Sequence, residues 1–309
     1  LRFEGVKFVS EAFVDGKKCG GHAGGFEPWE ADVTGACRPG QEHELLLRAQ
    51  DFTGLVDQAI DWTKIERGMR SVSLAKDSLM APVGSQYSRF GIWQAVTLLA
   101  RGDACVEDIF VRTSVRKHEL AADVTLRNLG PEPRTVRLSV AVEGGPAIGA
   151  REVALPAGGS EVVTLKQPWA DPRLWGPEDP HLYRLVTRIE GGGAEMDRVA
   201  TRFGFREFWT DGPDLVLNGT PMNFLATAGH PRGAVAPATA RAEAIDFYRR
   251  IREAGCVAMR LHAKIWPREW YEVADEVGMP LILESALFCW SDSYALSRDS
   301  VWENYHEHL

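Results

Sequence analysis

The sequence predicts a multidomain β plus α/β protein, in which two all-β regions precede a segment that alternates strand and helix. Three observations carry that expectation. Over the first two thirds of the chain, apolar residues alternate with period two between tight-turn dipeptides. After about Phe208 the period lengthens to that of helices broken by short apolar runs. The 309 residues also suffice for two or three domains of about 100 to 200 residues each.

From residue 1 to about residue 99 the pattern is strand and turn. In AFVDGKKCGG, Asp15 and Gly16 stand between two short runs, a tight-hairpin signal. HELLLRAQ places Leu45, Leu47 and Ala49 on one face. Gly24 and Gly25 are expected to supply positive φ in a tight turn. Residues 52–90, rich in Ser, Gly and charge, read as a long excursion between strands. The opening LRFEGV resembles the middle of a strand and predicts that an N-terminus is missing.

Between residues 103 and 206 the alternation is cleaner. Leu120, Ala122, Val124 and Leu126 share one face, as do Val136, Leu138, Val140 and Val142, with turns at NLGPEP and PAGGS. Short strands at this spacing suggest a β-sandwich of immunoglobulin-like size. Pro177 and Pro180 confine LWGPEDP to an extended edge or loop.

The last third reads strand, helix, strand, helix, strand. An apolar run ends at Gly229 and His230, and Ile245, Tyr248 and Ile251 then form a helical stripe that Gly255 terminates. CVAMRLH is a second strand, PREWYEVADEVG a helix opened by Pro267 and closed by Gly278, and MPLILES a third buried strand. Arg260 and Glu284 are 24 positions apart, which fits one helical crossover between neighbouring parallel strands. This order begins either a (β/α)8 barrel or a doubly wound sheet. A full barrel takes about 250 residues against about 100 here, so the sequence is expected to be a piece of a longer chain.

Composition bounds the partners. A formal net charge of -8 argues against nucleic acid or an anionic membrane surface, which need a basic face. No apolar run approaches the roughly 18 to 20 residues of a membrane helix. Cys19, Cys37, Cys105, Cys256 and Cys289 form no CxxC pair, so neither a zinc site nor a disulfide framework is expected, and they read as buried thiols. His306 and His308 lie too far beyond the last strand to be paired with a metal site, and no organic cofactor is expected either.

The chemistry-bearing residues gather at strand ends. His230, Arg260, His262 and Glu284 all fall where barrels place their binding and catalytic groups. Trp290 and Asp292, in ALFCWSDSY after the third strand, offer a ring face and a hydrogen-bonding group for a ligand at the rim, and Trp266 is a similar candidate. Trp29, Trp93 and Trp175 read as packing. For Arg260 the competing reading is a structural ion pair, for His262 a hydrogen-bonded interior histidine, and for His230 a loop histidine.

At these residues a family resemblance emerges. VDGKKCGGHAGGFEPWEADVT and GIWQAVTLL resemble the sugar-binding jelly-roll domain of glycoside hydrolase family 2, the group of β-galactosidases, β-glucuronidases and β-mannosidases. LWGPEDPHLYRL and RFGFREF resemble late strands of its immunoglobulin-like domain, and LVLNGTPM looks like the entry to its TIM barrel. The resemblance implies a jelly roll over 1–102, an immunoglobulin-like sandwich over 103–207, and the first strands of a (β/α)8 barrel over 208–309.

It further implies retaining hydrolysis of terminal β-linked sugars by two carboxyl groups about 5 to 5.5 Å apart. Both are expected beyond residue 309. Arg260 matches an arginine that supports the nucleophile, Glu284 is expected to line the pocket, and His230 matches a position that contacts substrate or orients the site. In the galactosidase and glucuronidase branches a histidine follows this arginine by three residues, where this chain has Ala263, whereas His262 follows by two. The rival reading is a noncatalytic carbohydrate-binding or scaffold protein with a degenerate barrel. A third reading makes Glu284 and Asp292 the catalytic pair. The open barrel edge is expected to be covered by another copy or by the remaining chain, and the compartment is left undecided.

Overall fold

The computed structural model describes residues 1–7, 9–50, 91–229, 237–262 and 265–284. The excursion over 52–90 lies outside the described residues, as does Cys289.

The N-terminal region is a set of short antiparallel ladders. Val9–Val14 is flanked by Lys17–Ala23 and Leu45–Gln50, Arg2–Phe3 by Trp29–Glu30 and Val96–Thr97, and Val6–Lys7 pairs with Gly91–Ile92. Alternation turns Ser10, Ala12 and Val14 inward. Phe3, Val6, Ala12, Trp29 and Ala31 form the core, with Phe3 stacked 4.3 Å from Trp29. Of HELLLRAQ only Leu47 packs on that core, and Leu45 is 46% exposed.

The hairpin forms as expected, with Asp15 and Gly16 at φ 49° and 78°, the two positive values a type I′ turn demands. The expectation for Gly24 and Gly25 fails, because neither has positive φ. Gly24 is small for another reason: a Cβ there would meet the Glu27 carboxylate and lie 2.6 Å from His22 Nε2. Those two side chains pair at 2.5 Å across the glycine. The thiols also depart from expectation. Cys105 is buried, but Cys19, Cys37 and Cys256 are half-exposed because they sit on a sheet rim, in a loop and after a helix end.

The hairpin tip is pinned by a histidine. His43 Nδ1 lies 2.7 Å from Asp15 Oδ2, and its Nε2 faces the Arg38 N–H at 2.8 Å and the Arg38 carbonyl at 3.2 Å. The Asp15 carboxylate raises the His43 pKa, and His43 in turn lowers that of Asp15. A raised histidine stabilises below its unfolded value and loses that contribution as pH rises through the folded one; a lowered aspartate does the reverse on acidification. The pair is therefore strongest between about pH 4 and 6.5. An NMR titration should place the His43 midpoint above about 6.5, and Asp15→Asn should bring it down. A midpoint unmoved by Asp15→Asn would refute the coupling.

Residues 104–203 build a β-sandwich. One sheet orders Ser160–Pro168, Glu119–Asn128 and Ala104–Ser114; the other orders Ala147–Leu155, Arg134–Val142, Tyr183–Gly191 and Ala194–Phe203. Every residue of the two alternating sets, Leu120 to Leu126 and Val136 to Val142, is buried between them with Phe203 and Phe205. Buried Asn128 staples the two expected turns: its amide nitrogen donates to the Glu132 and Pro156 carbonyls, and its Oδ1 accepts from the Gly130 N–H.

A meander of Phe208–Asp211, Asp214–Leu217 and Thr220–Met222 follows, its second turn made by Asn218 and Gly219 at φ 54° and 88°. Then comes a parallel sheet ordered Ala226–Gly229, Ala258–Leu261 and Leu281–Leu283, with helices Pro237–Glu253 and Arg268–Val277 in the crossovers. Met259 and Leu261 pack on Ala244, Tyr248, Trp266, Trp270 and Val273. The helical stripe is Ala240, Ala244, Tyr248 and Ile251, whereas Ile245 is 43% exposed. Residue 245 stands about 100° around the helix from 244, outside the packed stripe. Gly255 and Gly278 end their helices at φ 82° and 69°. The third strand is not buried as expected: Ile282 and Leu283 are 47% and 61% exposed, because among the described residues it is a sheet edge. No helix among the described residues is long and apolar enough to cross a membrane.

The sandwich grips the second helix. Trp175 Nε1 donates to the Asp275 carbonyl at 2.6 Å, and Arg206 stacks 4.3 Å over the Trp175 ring while pairing with Asp275 at 2.9 Å. Asn218 Nδ2 donates to the Trp175 carbonyl at 2.9 Å. Glu276 bridges Arg202 of the sandwich and Arg241 of the first helix; burial pushes its pKa up, but the two guanidiniums prevail and lower it. At the other end of this helix, Pro267 offers no side-chain cap, and the Arg268 N–H is satisfied by Gln94 Oε1 at 3.1 Å.

Candidate functional site

The parallel ladder decides which side chains meet. Arg260 is in register with Ala228 on one side and Ile282 on the other, so all three point to the face away from the helices. Glu284 follows Ile282 by two residues and returns to that same face. Met259 and Leu261 take the opposite face and anchor the strand in the helix layer.

Three of the expected residues are brought together here. The Arg260 guanidinium pairs with Glu284 Oε1 through both Nε and Nη2. His262 Nδ1 lies 3.3 Å from Glu284 Oε2. The Arg260 side chain is 44% exposed and Glu284 is half-buried, so the group is reachable from solvent. His230, Trp290 and Asp292 lie outside the described residues.

This arrangement favours recognition over proton transfer. The guanidinium on Glu284 Oε1 makes a charge-assisted pair, a kind of group suited to hydrogen-bonding recognition. The imidazole beside the second oxygen adds a further polar group at the same strand ends. Among the described residues no group of three or more His, Cys, Asp or Glu could hold a metal ion.

Two other expectations are settled by burial. Trp266 is 1% exposed and meets Trp270 edge-on at 4.8 Å in the helix layer, so it is a packing residue and offers no sugar platform. Trp29 and Trp175 are buried, and Trp93 donates its Nε1 to the Gly25 carbonyl at 2.7 Å. Sequence reasoning missed a cavity of about 560 Å³ between the meander and the sheet, bounded by Phe208, Phe224, Tyr271, Met279 and Leu281 with Arg206 and Asp275 at its edge. Its walls come from separate segments, and only the isolated motifs LWGPEDP and RFGFREF hinted at them.

Comparison with known proteins follows the same lines. Residues 104–206 match the family described as Glycosyl hydrolases family 2. The chain is 25% identical over 296 residues to a β-glucuronidase of Bacteroides fragilis, covering 90% of this chain and 39% of that protein. It is 24% identical to a β-galactosidase of Alteromonas mediterranea, over 97% of this chain and 28% of the relative. The chain thus spans well under half the length of these relatives.

Solved structures show the same fold. A family 2 β-galacturonidase of Eisenbergiella tayi bound to galacturonate superposes with TM-score 0.71 at 24% identity, over 92% of this chain and 47% of that one. A Bacteroides uniformis β-glucuronidase gives TM-score 0.71 at 19% identity, over 99% and 36%. The likeness to glycoside hydrolase family 2, read from the motifs, is shown for this chain as a part-length match.

Proposed function

We propose, from the premise of that family likeness, that the chain is the N-terminal and early-barrel portion of a retaining β-glycosidase. Its domains would run as a jelly roll over 1–102, an immunoglobulin-like sandwich over 103–207 and the first strands of a TIM barrel from 208. The observation that carries the reading is the group of Arg260, His262 and Glu284 at the ends of adjacent parallel strands, where barrel enzymes place substrate-facing residues.

In this reading the two catalytic carboxyl groups come from strands beyond residue 309. One protonates the leaving oxygen, and the other attacks the anomeric carbon to form a glycosyl-enzyme that water then hydrolyses. Arg260 holds its surroundings positive beneath that nucleophile and keeps it ionised. Glu284 and His262 line the sugar pocket as hydrogen-bonding groups, with His230, Trp290 and Asp292 on its rim. The sheet face carrying Arg260 and Ile282 is covered by the further strands or by another copy of the chain.

The test is hydrolysis of a panel of aryl β-glycosides: galactoside, glucuronide, galacturonide, mannoside, glucoside and glucosaminide. The 309 residues are compared with a form extended to the natural stop codon. Turnover in the extended form alone is expected, and the preferred sugar identifies the pocket. Turnover by the 309 residues would show that the carboxyl groups are already present. Silence from both would favour a noncatalytic carbohydrate-binding or scaffold role.

A further inference from the structure

The strand that ends at Glu284 is held by few ladder contacts. Among the described residues Leu281–Leu283 pairs with Ala258–Leu261 alone, through Met259 with Leu281, Arg260 with Ile282 and Leu261 with Leu283. A slip of one residue would turn Glu284 from the Arg260 face to the helix face. An anchor outside the ladder also bears on the height of this strand.

That anchor lies at the strand's beginning. Gly278 ends the preceding helix three residues before the strand, in the left-handed conformation, with its N–H bonded to the Ala274 carbonyl. It is wedged against the sandwich: a Cβ on Gly278 would come 2.5 Å from the Pro177 carbonyl oxygen and 2.9 Å from Pro177 Cα. Arg252 closes the joint from the first helix. Its Nη1 donates to both the Pro177 carbonyl at 2.8 Å and the Val277 carbonyl at 2.6 Å. Its Nη2 reaches Glu178 at 3.1 Å, but that glutamate side chain is 90% exposed and adds little.

One side chain therefore ties three things together: the end of the helix that feeds the Arg260 strand, the end of the helix that feeds the Glu284 strand, and the loop of the sandwich. We propose that Arg252, bearing on the Pro177 carbonyl and the Gly278 turn, is a positioning residue that sets the height of Glu284 relative to Arg260. The sandwich thereby takes part in assembling the site from the far end of the sheet. The functional weight of this role rests on the reading of Arg260 and Glu284 as substrate-facing groups.

The test uses the 309-residue chain and reads the pair directly. Exchange of the Arg260 Nε–H with water, slowed while Glu284 accepts from it, is followed by NMR in the parent, Arg252→Ala, Arg252→Lys and Glu178→Ala. Loss of the Arg252 bonds should speed Arg260 Nε–H exchange by about tenfold or more in Arg252→Ala. Exchange at the Val124 amide in the sandwich core should stay as in the parent. Arg252→Lys, which can serve one carbonyl well, should fall between, and Glu178→Ala should match the parent. A lower melting temperature with unchanged Arg260 exchange would make Arg252 merely structural and overturn the proposal. If the alanine variant does not fold, the lysine variant decides, with parental exchange counting against us. Because the readout is independent of turnover, failure of the glycosidase reading and failure of this one are told apart.

Discussion

Trp175→Ala is expected to destabilise the chain by about 3 to 5 kcal/mol, the usual range for deleting a buried indole. Trp175 is 3% exposed, carries Arg206 on its ring and donates to the Asp275 carbonyl, and Gly204 packs against its Cβ. Truncation opens a void where the sandwich, the meander and the second helix meet, so all three lose contacts together. Trp175→Phe should cost less, because the ring platform for Arg206 survives while the hydrogen bond goes. Urea denaturation of both variants checks the ordering. Equal loss in the two would mean that the Nε1 bond, and not the packed bulk, dominates.

The second large effect concerns turnover. In the extended form, Arg260→Ala should lower kcat by about 10²- to 10³-fold, the size of effect seen when one preorganised charge-stabilising donor is removed. Removal also takes from the Glu284 carboxylate the guanidinium that pairs with its Oε1. Arg260→Lys retains charge but not the fork that grips Glu284 through Nε and Nη2, and should recover part of the loss. Parental kcat in Arg260→Ala would remove this residue from the mechanism.

Much of this was legible in sequence because it is local. The Asp15 and Gly16 turn, the two buried faces of the sandwich and the glycine helix ends each follow from a few neighbouring residues. The 24-residue spacing of Arg260 and Glu284 likewise follows from one helix between two parallel strands, and the pair is found joined. What failed was judged from type without geometry. Trp266 was given to the pocket because it follows a strand end, yet its ring turns into the helix layer. Ile245 was assigned to the buried stripe on apolarity, while the stripe is drawn by smaller Ala240 and Ala244 that let the helix approach the sheet. Gly24 was credited with a turn when its role is to leave space for the His22 and Glu27 pair. The joint around Trp175, Arg206 and Arg252 was beyond reach, since its partners are 69 to 100 residues apart.

The bond from the Arg268 N–H to Gln94 spans 174 residues, more than half the chain. During synthesis the acceptor emerges long before the helix that needs it. A helix of ten residues is too short to persist alone, so it depends on partners distant in sequence. Closing its first turn thus couples the α/β segment to the N-terminal region across the whole intervening sandwich.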